Sequence, residues 1–139
     1  MFKRNAESKW ILDRVQNDKG MEQNKRKTGN YGEDLACKFL QQLGYQIVER
    51  NYIYSHSEID VIAKDRDELV FVEVKYRTND EYGPPELSIS KGKQKLVRKT
   101  AEAYLYEHEI KDQKCRIDLI AILHLKDEKP KINHIINAF

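Results

Sequence analysis

The sequence predicts an α/β domain in which a mixed central β-sheet is flanked by helices. Two segments, residues 30–43 and 91–108, repeat apolar residues at helical spacing. Five others, rich in Ile, Val and Tyr, read as strands. Their order along the chain is α-β-β-β-α-β-β, with no internal repeat and no low-complexity stretch, the pattern of a mixed sheet with helices packed on it.

Residues 1–27 are polar and strongly charged, the composition of a flexible N-terminal extension, ahead of a domain spanning 28–139. Their one apolar cluster, Trp10, Ile11, Leu12 and Val15, suits a turn or two of helix, and Met21 offers an alternative start. The first domain helix carries Leu35, Ala36, Phe39, Leu40 and Leu43 on one stripe, with Gly44 where a C-terminal glycine belongs. Asn30 with Glu33 three residues later resembles a capping box at its start. Strands are expected over 45–54, 58–63 and 69–76. A loop follows over 77–90, with Gly83-Pro84-Pro85 inside it. The second helix places Leu96, Val97, Thr100, Ala101, Tyr104 and Leu105 on one stripe, and strands over 116–125 and 131–136 complete the domain.

At 139 residues the chain has the size of one domain, large enough to bury a core without disulfides or structural metal. No apolar run approaches the ~20 residues needed to cross a bilayer, and residues 1–20 lack the apolar stretch of a signal peptide. Cys37 and Cys115 form no CxxC pair and read as reduced thiols of a cytoplasmic protein. These features argue against a membrane protein, a secreted disulfide scaffold and a zinc ribbon. Lys and Arg number 25 against 23 Asp and Glu. The small excess lies in residues 1–20, so any electrostatic case for nucleic-acid binding rests on local clustering.

The informative segment is Glu58-Ile59-Asp60-Val61-Ile62-Ala63, a polar turn, then Val70-Phe71-Val72-Glu73-Val74-Lys75. Centring a hairpin between Arg66 and Asp67 pairs Ile59 with Val74, Val61 with Val72 and Ala63 with Val70, a consistent apolar face. The same register sets Asp60 opposite Glu73 and Glu58 opposite Lys75. Opposed carboxylates destabilise a sheet unless a shared proton, a cation or a divalent metal compensates. Mg²⁺ favours one or two carboxylates plus water and phosphate oxygens, and Lys75 shares the face of Glu73. That is a constellation for metal-assisted phosphodiester hydrolysis. Glu73-Val74-Lys75 alone would be ordinary on a solvated face; Asp60, inside an apolar strand, is what makes a site the better reading.

Gly29-x-x-Gly32-Glu33, Glu58 to Ala63, Phe71-Val72-Glu73-Val74-Lys75-Tyr76-Arg77 and the closing Asn137-Ala138-Phe139 together resemble the YraN-like family over about residues 28–139. That bacterial family is assigned to the PD-(D/E)xK nuclease superfamily, similar to archaeal Holliday-junction resolvases. The resemblance implies a restriction endonuclease-like fold and a Mg²⁺- or Mn²⁺-dependent nuclease acting on DNA, branched DNA included. It implies Asp60 and Glu73 as metal ligands, Lys75 as the catalytic lysine, and Glu33 as the acidic residue completing the metal site. Resolvase-like relatives are dimers, which leaves this chain open between monomer and homodimer. Ser57 departs from the family by standing where glycine is usual.

Lys91, Lys93, Lys95, Arg98 and Lys99 form a basic run at the start of the second helix that suits a phosphate backbone or, equally, a solvated face. Arg77 and the Gly83-Pro84-Pro85 loop lie just beyond Lys75 and could shape a substrate groove. Tyr31, Tyr76 and Tyr82 read as packing before base stacking, and His56 as a loop histidine before an acid-base group. Asp118 reads as a partner of Arg116 on the same strand face, and Cys37 as core. Two rival functions stay open: a nucleic-acid-binding module without turnover, and an interaction protein with a merely solvated charged face.

Overall fold

The computed structural model describes residues 7–12, 25–81, 83 and 89–139. Eight elements follow in order: β1 (Glu7–Leu12), α1 (Lys25–Gln42), β2 (Gln46–Tyr54), β3 (Ser57–Asp65), β4 (Glu68–Arg77), α2 (Lys91–Glu107), β5 (Cys115–Leu123) and β6 (Lys131–Ile136). From α1 onward this is the expected α-β-β-β-α-β-β order. The strands form one sheet in the order β1-β6-β5-β4-β3-β2, in which β4 and β5 run parallel and every other neighbouring pair antiparallel. The parallel pair requires a crossover, which α2 supplies.

The segment around Trp10 is a strand rather than a turn of helix: β1 pairs with β6 from Glu7 opposite Ile136 to Leu12 opposite Lys131. Its backbone finds partners on an otherwise open sheet edge, a tertiary opportunity that local periodicity does not register. Val15, Met21, Tyr82, Pro84 and Pro85 lie outside the described residues.

The helix α1 starts at Lys25, so Asn30 lies inside it and the expected capping box is not its N-terminus. Residues 25–30 are Lys-Arg-Lys-Thr-Gly-Asn and Tyr31 is the first apolar residue of α1, which is why its first turn carries no sequence signature. Its other end matches expectation. Gly44 takes φ +93°, its N–H reaches the Gln41 carbonyl at 3.0 Å, and the Tyr45 N–H reaches that of Leu40 at 3.0 Å. The N-cap of α2 is Ser90, whose Oγ accepts the Lys93 N–H at 3.1 Å. Leu96 stands outside the buried stripe, 42 % exposed, while Val97, Thr100, Ala101, Tyr104 and Leu105 are buried.

The sheet is covered on both faces. Leu35, Ala36, Phe39 and Leu40 of α1 pack with Val61, Ala63, Val70, Val72, Ile120 and Ile122. Val97, Ala101, Tyr104 and Leu105 of α2 pack with Ile59, Ile62, Phe71 and Ile117. Ile59 therefore joins the α2 side rather than sharing a core face with Val61. Burial on both faces explains the near-continuous apolar runs of β4 and β5. It also means that any charge in the middle of these strands is removed from water.

Candidate active site

The β3–β4 hairpin has the expected register. Asp65 faces Glu68, Ala63 faces Val70 and Val61 faces Val72, with the turn relieved by Arg66 at φ 59°. The ladder then ends. Ile59–Val74, Asp60–Glu73 and Glu58–Lys75 are not paired across the backbone. Instead, Asp60 Oδ2 accepts the Val74 N–H at 2.8 Å, a side chain standing in for the missing strand partner. β4 meanwhile stays paired with β5 through Arg77. The two strands part where the carboxylates begin, and the Asp60 side chain bridges the gap.

Asp60 is 8 % exposed and Glu73 4 %. Burial, and next the charge of Glu73, push the Asp60 carboxyl up to about 8. Burial also raises Glu73, opposed by the nearby ammonium groups of Lys93 and Lys75. Lys93 Nζ stands 3.8 Å from Glu73 Oε1, while Glu73 Oε2 is buried with no hydrogen-bond partner among the described residues. Two adjacent carboxylates thus share a buried site with incomplete compensation.

Glu33 reaches the same neighbourhood from α1: its charge acts on both Asp60 and Glu73. Its carboxylate accepts a hydrogen bond from Arg50 Nη2 at 3.4 Å, and Arg50 Nη1 pairs with Asp34 at 2.8 Å. Burial is the largest influence on Glu33 and raises it. Nothing in the sequence marks Arg50, on the edge strand β2, as the partner of Glu33. Among the described residues, no three His, Cys, Asp or Glu side chains converge closely enough to hold a metal ion between them.

Lys75 is half-buried on β4. Just beyond it, Tyr76 Oη and His124 Nδ1 are 2.8 Å apart, and the Tyr31 ring stacks on His124 with centroids 6.1 Å apart. A Cβ on Gly32 would lie 2.8 Å from Tyr76 Cβ. Glycine there lets the α1 segment carrying Glu33 press against the strand carrying Lys75. Tyr31 and Tyr76 are packing residues, as expected. Ser57 is buried; its Oγ and Thr100 Oγ1 share a 2.7 Å hydrogen bond that ties the start of β3 to α2.

The basic run divides. Lys91, Lys95 and Lys99 are exposed along α2. Lys93 instead turns to Glu73, and Arg98 is half-buried with partners of its own. Arg77 is exposed at the end of β4, and His56 is exposed in the turn before β3. Cys37 is buried, and burial raises its thiol, as for a core residue.

Asp118 pairs with Arg116 as expected, Nε to Oδ1 at 3.0 Å, within a larger buried network. Arg116 also donates to Glu68 at 2.7 Å, Asp65 at 3.1 Å and the Tyr45 hydroxyl at 2.6 Å, while His134 Nε2 lies 2.8 Å from Asp118 Oδ2. It joins β3, β4, β5 and β6 at the hairpin-turn end of the sheet, away from the acidic pair.

A model of the uncharacterised protein family UPF0102 matches residues 32–122, which span Glu33, Asp60, Glu73, Lys75 and the α2 lysines. A UPF0102 protein of Pelobacter propionicus is 43 % identical over 116 residues, covering 82 % of this chain and 83 % of that protein. One from Geobacter sulfurreducens is 43 % identical over 111 residues, 80 % and 87 % of the two chains. A third, from Geotalea daltonii, is 42 % identical over 122 residues, 87 % and 96 %.

Proposed function

The chain belongs to the uncharacterised protein family UPF0102, and we propose that it is a metal-dependent nuclease of the PD-(D/E)xK type. The observation that carries this reading is the Asp60–Glu73 pair. Two adjoining carboxylates are buried with their affinity for protons raised and one Glu73 oxygen without a partner among the described residues. Such a pair is costly when ionised, and a bound cation would compensate it. The donors suit Mg²⁺ or Mn²⁺: hard oxygens from two carboxylates, leaving positions for water and phosphate. Asp60 and Glu73 would hold the ion, with Glu33 adding negative charge from α1.

A divalent cation there would supply Lewis acidity toward a phosphoryl oxygen and toward water. The chain's own groups do the rest. The Asp60 carboxylate, fixed by the Val74 N–H, orients the cation-binding oxygens. Lys75 follows Glu73 on the same face of β4 and can hold a water or offset charge developing on phosphate. The buried surroundings exclude bulk water and strengthen both effects.

A phosphodiester backbone as substrate is supported by the exposed cations Arg77, on the strand that carries Glu73 and Lys75, and Lys91, Lys95 and Lys99, on the helix that carries Lys93. No helix among the described residues is long and apolar enough to cross a membrane. Metal-dependent cleavage of labelled DNA, compared between the wild-type chain and Glu73→Gln, tests the reading.

A further inference from the structure

Lys93 stands in the sequence among lysines suited to a phosphate backbone, but the fold gives it a different place. Ser90 caps α2 through the Lys93 N–H at 3.1 Å, which fixes Lys93 in the first helical turn. From there its ammonium group reaches Glu73 Oε1 at 3.8 Å, and its side chain is 33 % exposed against 6 % for that of Glu73. Lys91 and Lys95, two residues to either side, are exposed. Among the described residues no other ion pair to Asp60 or Glu73 shorter than 4 Å is found.

We propose that Lys93 is the resident counter-cation of Glu73, a positioning residue that holds this carboxylate in the metal-free protein and yields it to the divalent cation. Three observations carry the inference. The ion pair joins a fixed helical turn to a buried acid. A separation of 3.8 Å is longer than a tight charge-assisted hydrogen bond, so it leaves the Glu73 oxygen exchangeable. The other oxygen, Oε2, has no hydrogen-bond partner among the described residues, so Lys93 alone does not satisfy the carboxylate. A lysine suits this task better than arginine would, being a point charge on a flexible stem rather than a two-pronged clamp. The consequence is competition: Lys93 keeps the acidic pair tolerable without metal, and for the same reason weakens the metal's hold. The second half rests on the metal reading above; the first does not.

The test has two arms on the full chain. In the first, Mn²⁺ binding at pH 8.5 is measured by calorimetry for wild type, Lys93→Met, Lys93→Arg and Lys91→Met. Lys93→Met binds Mn²⁺ about tenfold more tightly than wild type because its competitor is gone. Lys91→Met stays within about twofold of wild type, and Lys93→Arg, which keeps a cation on Glu73, binds Mn²⁺ no more tightly than wild type. A lysine that merely supported the fold would give the opposite sign, so unchanged or weaker binding in Lys93→Met overturns the proposal. The second arm uses no metal: thermal melts of wild type, Lys93→Met, Glu73→Gln and the double variant. Lys93→Met lowers Tm by ~3 °C in the wild-type background and by less than ~1 °C in Glu73→Gln. Equal decreases in both backgrounds overturn the counter-cation role. Absence of Mn²⁺ binding by wild type itself overturns the nuclease reading and the yielding step, while the melts still settle the counter-cation role.

Discussion

Asp60 Oδ2 accepts the backbone N–H of Val74 at 2.8 Å, at the point where β3 and β4 stop pairing. A side chain there replaces a strand carbonyl, so the hairpin opens without leaving the Val74 donor unmet. The same bond anchors the residue next to Glu73 and delivers the second carboxylate to the first.

Asp60→Asn keeps that acceptor and removes the buried charge. Without metal at pH 8.5, the variant is expected to melt at or above the wild-type temperature, because repulsion with Glu73 is gone. Adding Mg²⁺ raises Tm for wild type and leaves Asp60→Asn unmoved. A Mg²⁺ response of equal size in both proteins would remove Asp60 from the metal site.

Stability should also depend on pH in a stated direction. The unfolded chain releases the Asp60 proton near 3.8, whereas the folded chain keeps it until about 8. The native state therefore binds more protons across that window, and this group's stabilising contribution is present at low pH and lost as pH rises through about 8. Urea unfolding of metal-free wild type and Asp60→Asn between pH 5 and 9 measures it as their difference, which should shift in favour of the variant as pH rises. A difference independent of pH would contradict the burial of the carboxylate as described.

Gly32→Ala places a methyl group 2.8 Å from Tyr76 Cβ, between backbone-anchored elements that cannot both give way cheaply. A destabilisation of ~1–3 kcal/mol is expected in urea unfolding. Tyr76 follows Lys75, so cleavage should fall further than the folded fraction does. A variant as stable as wild type would show that α1 and β4 do not meet this closely.

Arg116→Met removes a guanidinium that pairs with Asp118, Glu68 and Asp65 together. Leaving these acids uncompensated should cost ~3–5 kcal/mol, measurable by denaturant titration. Because the network lies away from the acidic pair, Mn²⁺ affinity of the folded fraction should be unchanged.

The exposed lysines of α2 offer a different signature. Neutralising Lys91, Lys95 and Lys99 to Gln should weaken binding to duplex DNA of any sequence. For every phosphate no longer neutralised, the slope of log affinity against log salt should become shallower by ~0.9. Fluorescence anisotropy at several salt concentrations measures this. An unaltered slope would assign these residues to solvent alone.

The sequence makes legible what local patterning controls. The β3–β4 register follows from matching Val61 with Val72 and Ala63 with Val70, and Gly44 marks the end of α1 correctly. The apolar strand interrupted by Asp60 points, by itself, to a buried carboxylate beside Glu73. What stays hidden depends on neighbours distant in the chain. The β1 segment becomes a strand only because β6 offers an edge. Lys93 differs from Lys91 and Lys95 only in the direction in which α2 lies over the sheet. Where a ladder stops is likewise not encoded in alternation. Extending the register pairs Asp60 with Glu73, whereas the backbone ladder ends at Val61 and Val72, one residue short of them. The Arg50–Glu33 ion pair joins an edge strand to a helix and leaves no spacing to read.

The most direct test is cleavage of labelled linear, flapped and four-way-junction DNA in Mg²⁺ or Mn²⁺, with the wild-type chain beside Glu73→Gln and Lys75→Ala. The account predicts product from the wild type that requires the metal and is reduced by at least ~100-fold in both variants while their folds persist. Product from Glu73→Gln at the wild-type rate would contradict it. So would wild-type DNA binding without any metal-dependent product, which would make the protein a nucleic-acid-binding module instead.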